Sequence, residues 1–179
     1  AITINARPII SNPSTSTLCV GSTLAMTPST GGSWQSTNPT VASISNSGLV
    51  TALSVGTTSF IFTNAVTGCS SNASSALTVV NQPTVSIDYN GSVCLTNNSQ
   101  LTAVASNGSG PYNYTWTGPN SFSGNTQTIS ITANGNYYVT LVDNNGCSAS
   151  TSGFVYQKYE PFIANLVTEV CEGNTVTLT

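Results

Sequence analysis

The chain has 179 residues, of which only Arg7 and Lys158 are basic against five acids, so the net charge is −3 and 4% of residues are charged, where an ordinary soluble domain has about a quarter. Two cations cannot neutralise a phosphate backbone or hold an anionic bilayer surface, which excludes nucleic-acid and membrane-surface binding, and without histidine neither a Ser-His-Asp nor a Cys-His nucleophile can be assembled. No apolar run nears the roughly 18 residues that span a bilayer, so no membrane insertion of this segment is expected.

Ser, Thr and Asn take the place of charge, while Val, Ile, Thr, Tyr, Phe and Trp are plentiful, a composition that favours strands. Period-2 alternation dominates and no 3.6-period stretch reaches helical length. In chain order, strands are predicted near residues 8–11, 23–27, 33–36, 41–45, 49–52, 58–64 and 73–80. Asn46-Ser47-Gly48 and Ser54-Val55-Gly56 supply turns between them. Further strands are predicted near 84–89, 99–105, 112–117, 128–132, 135–143 and 148–157, with turns at Asn107-Gly108, Asn134-Gly135 and Asn144-Asn145-Gly146. Short strands in such numbers, parted by turn signals, predict an all-β fold of tandem immunoglobulin-like β-sandwiches.

The pattern repeats. Residues 7–27, 82–104 and 160–179 each contain a Pro, a short apolar strand, a Cys and then an alternating strand; Pro8 precedes Cys19 by 11 positions, Pro83 precedes Cys94 by 11 and Pro161 precedes Cys171 by 10. A second marker recurs as Gly68-Cys69-Ser70 and Gly146-Cys147-Ser148. The expected organisation is one repeat over residues 1–81, a second over 82–157, and the incomplete start of a third over 158–179, joined by short links containing Pro83 and Pro161 that stiffen the junctions. Leu24 and Met26, Leu101 and Ala103, and Val176 and Leu178 would be equivalent inward pairs.

No C-x-x-C and no close Cys/His cluster is present, so the five cysteines read as disulfides rather than a zinc site, which implies an oxidising compartment. Separations of 50 and 53 within the two full repeats suggest one intradomain bridge each, Cys19–Cys69 and Cys94–Cys147. A bridge closing a loop of about 50 residues stabilises by roughly 4 kcal/mol in the chain-entropy picture, a large share for so small a unit. Cys171 is expected to find its partner beyond residue 179, with a free thiol or an intermolecular bridge as the alternatives.

No catalytic residue, metal ligand set or cofactor is expected. The acids are few and scattered, so paired carboxylates and calcium loops are missing, and no phosphate-binding glycine loop occurs. Asp143-Asn144-Asn145-Gly146 reads as a β-turn rather than a cation site. Trp34 and Trp116 each follow the first Cys of a repeat and are expected in the core, the other reading being sugar-stacking platforms. Tyr112, Tyr114 and Phe122 are the candidate ligand contacts, and Tyr137 and Tyr138 offer further rings, since aromatic rings among Ser, Thr and Asn suit a polysaccharide if they are exposed on one face; alternation predicts that some of the five point outward. Lys158 sits in a linker rather than a core strand, which argues against an isopeptide bond.

Ser33 to Phe62, SWQSTNPTVASISNSGLVTALSVGTTSFIF, resembles the bacterial Ig-like group 2 domain through its Trp strand, "S-x-N-P-x-V-A-x-I" and "G-L-V-T-A". YNYTWTGPNSFSG and GNYYVTLVDNNGCSAS resemble the PKD-like and Ig-like repeats of Bacteroidota surface proteins, without the "W-D-F-G-D-G" of a standard PKD domain. Such arrays are similar to large exported gliding-motility and adhesion proteins. The resemblance implies a non-enzymatic stalk or filament segment at the bacterial cell surface or secreted, whose partners are neighbouring repeats. Two alternatives stand beside it: a surface- or polysaccharide-binding module, and a donor-strand filament subunit in which Asn174–Thr179 completes a neighbour's sheet.

Overall fold

The computed structural model of the chain describes residues 3–89, 94–95 and 99–157. Two hydrophobic cores organise it. Strands β1 (Thr17–Cys19), β2 (Thr23–Ala25), β3 (Gly32–Ser36), β4 (Ala42–Ile44), β5 (Leu49–Ala52), β6 (Gly56–Thr58), β7 (Phe60–Asn64) and β8 (Leu77–Val80) surround the first. Strands β9 (Thr84–Asp88), β10 (Cys94–Leu95), β11 (Gln100–Ser106), β12 (Asn113–Gly118), β13 (Phe122–Gly124), β14 (Thr128–Ser130), β15 (Gly135–Val142) and β16 (Ser148–Gln157) surround the second.

In the first sandwich the sheet β2-β5-β4 opposes β3-β7 and β1-β8-β6. Alternation does the sorting: each strand sends every second side chain inward, so Leu24 and Met26, Val50 and Ala52 from one layer meet Trp34, Phe60, Phe62, Leu77 and Val79 from the other. The chain after β7 turns at Asn64 to Gly68 and runs back along it, since the amides of Ser71 and Ser74 donate to the carbonyls of Phe62 and Phe60. That return leads into β8, which lies parallel to β1 with Cys19 opposite Val80. Gly48 closes the β4–β5 turn at φ +81°, and a Cβ there would strike the Met26 carbonyl, so the turn needs glycine on both counts.

The second sandwich sets β14-β11-β9 against β10-β16-β15-β12-β13. Its backbone is the long hairpin β15–β16, paired from Gly135↔Val155 to Val142↔Ser148. Leu101, Ala103 and Ile129 face Trp116, Tyr137, Val139 and Val155 across the core.

The all-β Ig-like fold is therefore as the alternation predicts, and the inward pairs Leu24/Met26 and Leu101/Ala103 are buried. The third pair, Val176/Leu178, together with Lys158, Cys171 and the Asn174–Thr179 segment, lies outside the described residues. Both tryptophans are core residues, and each indole N–H donates to a backbone carbonyl at 2.9 Å, Trp34 to Pro28 and Trp116 to Thr126. Boundaries shift where local chemistry intervenes. Residues 8–11 form no strand: Ser11 keeps two bonds to Thr27, one from its amide to the Thr27 carbonyl and one accepted by its hydroxyl, and the imino nitrogens of Pro8, Pro13 and Pro28 supply no ladder donors. The predicted strand 58–64 is broken at Ser59 into β6 and β7. Strands β1, β10 and β13 were not anticipated; each has two or three residues, too few for alternation to register.

Candidate functional site

The disulfide is not where the spacing places it. Cys19 bonds Cys147, with Cα atoms 5.9 Å apart at a sequence separation of 128, and Cys69 is a free thiol. Both intradomain pairings are corrected for one physical reason. Cys19 lies level with Val80, the last residue of β8, whereas Cys69 lies at the opposite end of the same run, beside the β7 turn. Eleven residues of nearly extended chain separate those levels, roughly 35 Å at the usual strand rise, while a disulfide needs Cα atoms within about 7 Å. In the second sandwich Cys94 is level with Tyr156 near the end of β16 and Cys147 sits just before its start, so Cys94–Cys147 fails in the same way.

What the fold brings together instead is the far end of the first sandwich and the near end of the second. Val80 leads into Asn81-Gln82-Pro83 and on to β9. The Gln82 side-chain amide donates to the Ser148 carbonyl, next to the bridged Cys147. Pro83 is itself buried, against the loop that carries Gly108.

The turn that presents Cys147 is held by Asp143, which is only 3% exposed. One carboxylate oxygen accepts from the amides of Asn145 and Cys147, both at 2.9 Å, and the other from the amide of Ser109 at 3.1 Å. Both oxygens are thus committed to backbone donors, which gives the β-turn rather than a cation site. Among the described residues no group of three His, Cys, Asp or Glu side chains is placed to hold a metal, and no helix is long and apolar enough to cross a membrane.

The sequence candidates Tyr112, Tyr114 and Phe122 are half-buried. Tyr114 and Phe122 pack on the second core, Phe122 edge-on to Tyr137 at 5.5 Å. Burial, and secondarily the neighbouring Tyr112, raises the Tyr114 phenol above the usual tyrosine value. The rings that stand out into solvent are others: Tyr138, Phe154 and Tyr156, at 53%, 41% and 56% exposure. Strand parity puts all three on the outer face of β15–β16, with Phe154 and Tyr156 edge to face at 4.8 Å. Sequence reasoning included Tyr138 among its rings and expected some of them to point outward, as Tyr138 does while Tyr137 turns inward; it missed Phe154 and Tyr156.

Residues 5–70 match the bacterial Ig-like domain (group 2) family. That stretch runs from the approach to the first Ig-like sandwich to its second cysteine. Among solved structures, the chain is similar to the C-terminal 282-residue fragment of intimin, solved in complex with the intimin-binding domain of the translocated intimin receptor. The TM-score is 0.54 at 13% identity, over 85% of this chain and 64% of that fragment. The S-layer protein rSbsC(31-844) matches with TM-score 0.32 and 18% identity over 76% of this chain and 21% of its own. The Yersinia pseudotuberculosis adhesin InvE matches with TM-score 0.27 and 15% identity over 81% and 58%. The intimin likeness extends to the fold alone. Comparison with curated protein sequences gives no match.

Proposed function

We propose that the chain is a force-transmitting structural segment of a bacterial cell-surface adhesin or filament, exposed outside the cell, with no catalytic role. Its units are residues 1–81 and 82–157, and residues 158–179 open a third. The observation that carries this reading is the position of the Cys19–Cys147 bridge. Tension that enters at the N-terminal side meets Cys19 at the end of β1, crosses the sulfur–sulfur bond to Cys147, and leaves along β16. All of the first core except Leu18, and all of the second except Val155, lies inside the stretch that this bond bypasses. A covalent link at a junction between sandwiches has little to offer a diffusing binding module, but it keeps a rod from lengthening under pull. Three further points support the reading: the Ig-like match of residues 5–70, the disulfide chemistry of an oxidising compartment, and the resemblance to exported gliding-motility and adhesion proteins.

Single-molecule pulling from the two termini tests it. Without reductant, the extension released should exclude the bridged stretch. Reductant should add roughly 460 Å, from 128 residues at about 3.6 Å each. Release of the full chain length without reductant would contradict the proposal.

A second reading is favoured by the exposed trio Tyr138, Phe154 and Tyr156, which offers a polysaccharide a flat aromatic face fringed by Thr140, Ser150 and Ser152. Tyr112, Tyr114 and Phe122 belong to the inner side and rim of the sandwich, so this reading rests on the outward rings. Affinity electrophoresis in soluble polysaccharide checks it: the chain should be retarded, and Tyr138→Ala with Tyr156→Ala should abolish retardation. Equal mobility of the two proteins would remove the reading.

A further inference from the structure

We propose that Cys69 is the receiving half of a second inter-sandwich disulfide, and that its partner is the first cysteine of another Ig-like unit docked on the open end of the first sandwich. The Cys147 site is the template. In the second sandwich the amide of Asp143 donates to the carbonyl of Cys147 at 2.9 Å and the amide of Gly146 to the carbonyl of Asp143 at 3.1 Å. The first sandwich repeats this construction: the amide of Asn64 donates to the carbonyl of Cys69 at 3.0 Å and that of Gly68 to the carbonyl of Asn64 at 2.9 Å. Gly68 and Gly146 both take positive φ, +65° and +81°. The side-chain oxygen of Asn64 caps two amides of its turn, Val66 and Thr67, as that of Asp143 caps Asn145 and Cys147. Each cysteine is therefore delivered by the same device at the same end of its sandwich.

Occupancy is what differs. Cys147 is bonded to the preceding sandwich and is 1% exposed. Cys69 is unbonded and half-exposed, and it lines an open cleft of about 340 Å³ with Asn5, Arg7, Ser70 and Ser71. The segment leading into each sandwich flanks its cysteine in a comparable way. Gln82 donates to the Ser148 carbonyl beside Cys147, and the Arg7 guanidinium donates to Asn72 Oδ1 at 2.7 Å beside Cys69. The cleft is thus a socket of the kind that holds Cys19, left open at the end of the first sandwich.

The chain also places a backbone position of the complementary kind at its other end. Cys94 pairs with Tyr156 in a parallel bridge near the end of β16, as Cys19 pairs with Val80 at the end of β8. The rule that follows is that the first cysteine of one unit bonds the second cysteine of the next, so successive bridges overlap and every junction is closed. Forming the Cys69 bond removes two protons and two electrons. A disulfide oxidant such as oxidised glutathione takes them: the Cys69 thiolate displaces one glutathione thiolate, and the partner thiolate then displaces the second from the mixed disulfide.

The inference stands on the repeat geometry and does not need the stalk reading. It is tested with the 179-residue chain carrying Cys171→Ser, which leaves Cys94 as the one first-type cysteine outside the Cys19–Cys147 bridge. The protein, concentrated with its Cys19–Cys147 bridge formed, is incubated with oxidised and reduced glutathione, and the linked peptides are mapped without reduction. Cys69-to-Cys94 links between copies should exceed the two symmetric links by about tenfold, because docking raises the effective concentration of that pair alone. Symmetric links as abundant as the mixed one would overturn the proposal, and so would Cys69 left as a glutathione adduct. Either result leaves the observed junction and the pulling experiment untouched, so failure here is separable from failure of the proposed function.

Discussion

The two sandwiches are built on one plan but closed by different means. The second relies on backbone: β15 and β16 run for eight and ten residues and share one continuous ladder, and β9 and β11 pair over five. The first has strands of three to five residues, and side-chain hydroxyls finish what its ladders leave open. Ser71 and Ser74 accept from the amides of Phe62 and Phe60 at 3.1 and 3.0 Å. The buried pair Ser36 and Thr58, 2.8 Å apart, takes the amide of Asn38. Among the described residues no buried side-chain polar atom is left without a partner. A chain with few charges but many hydroxyls can thus satisfy its backbone where prolines prevent long strands, at the cost of placing polar atoms in the core.

That contrast can be broken from either side. The largest effect should come from Trp116→Ala, which empties the centre of the second core, where Trp116 is fully buried. The expected loss is about 4 kcal/mol, seen in chemical denaturation as early unfolding of the second sandwich, while Trp34 fluorescence still reports a folded first one. Comparable in size, Cys19→Ser should cost about 4 kcal/mol through the lost cross-link. In calorimetry it should separate two transitions that the bridge holds together; a single unchanged transition would mean that the sandwiches do not depend on it.

Smaller, and confined to the first sandwich, Thr58→Val keeps the shape but deletes the hydroxyl shared by Ser36 and Asn38. About 1–2 kcal/mol should be lost in denaturant titration, with the second sandwich unaffected. The smallest effect is a matter of pH. All tyrosines lie at residue 89 or beyond, and the Tyr137 phenol is raised above its ordinary 10.0 chiefly by burial. The unfolded chain therefore ionises first. Stability from this group is complete below pH 10 and falls as pH rises through the raised folded value. Alkaline titration watched by circular dichroism should melt the second sandwich before the first.

The sequence carried the strands well wherever alternation ran for four residues or more, as in β5, β15 and β16, and it carried the inward side of Leu24, Met26, Leu101 and Ala103. The two glycine-cysteine turns that it singled out are built alike, each with a glycine at positive φ. It could not carry the disulfide. Linear spacing makes Cys19 and Cys69 look like partners because they share a repeat. Which end of a sandwich each occupies depends on strand direction, and β1 running parallel to β8 is a tertiary fact that spans 60 residues. The aromatic candidates divided for a related reason. Tyr114 shares strand parity with the buried Trp116 and so turns inward, whereas Tyr138 lies one position from the buried Tyr137 and turns out.

The central claim is that the covalent link joins two sandwiches rather than closing each one, and non-reducing peptide mapping of the intact chain, alkylated before digestion, addresses it most directly. The account predicts one peptide pair joining Cys19 to Cys147, with Cys69 carrying the alkyl group. Peptide pairs joining Cys19 to Cys69 and Cys94 to Cys147 would contradict it.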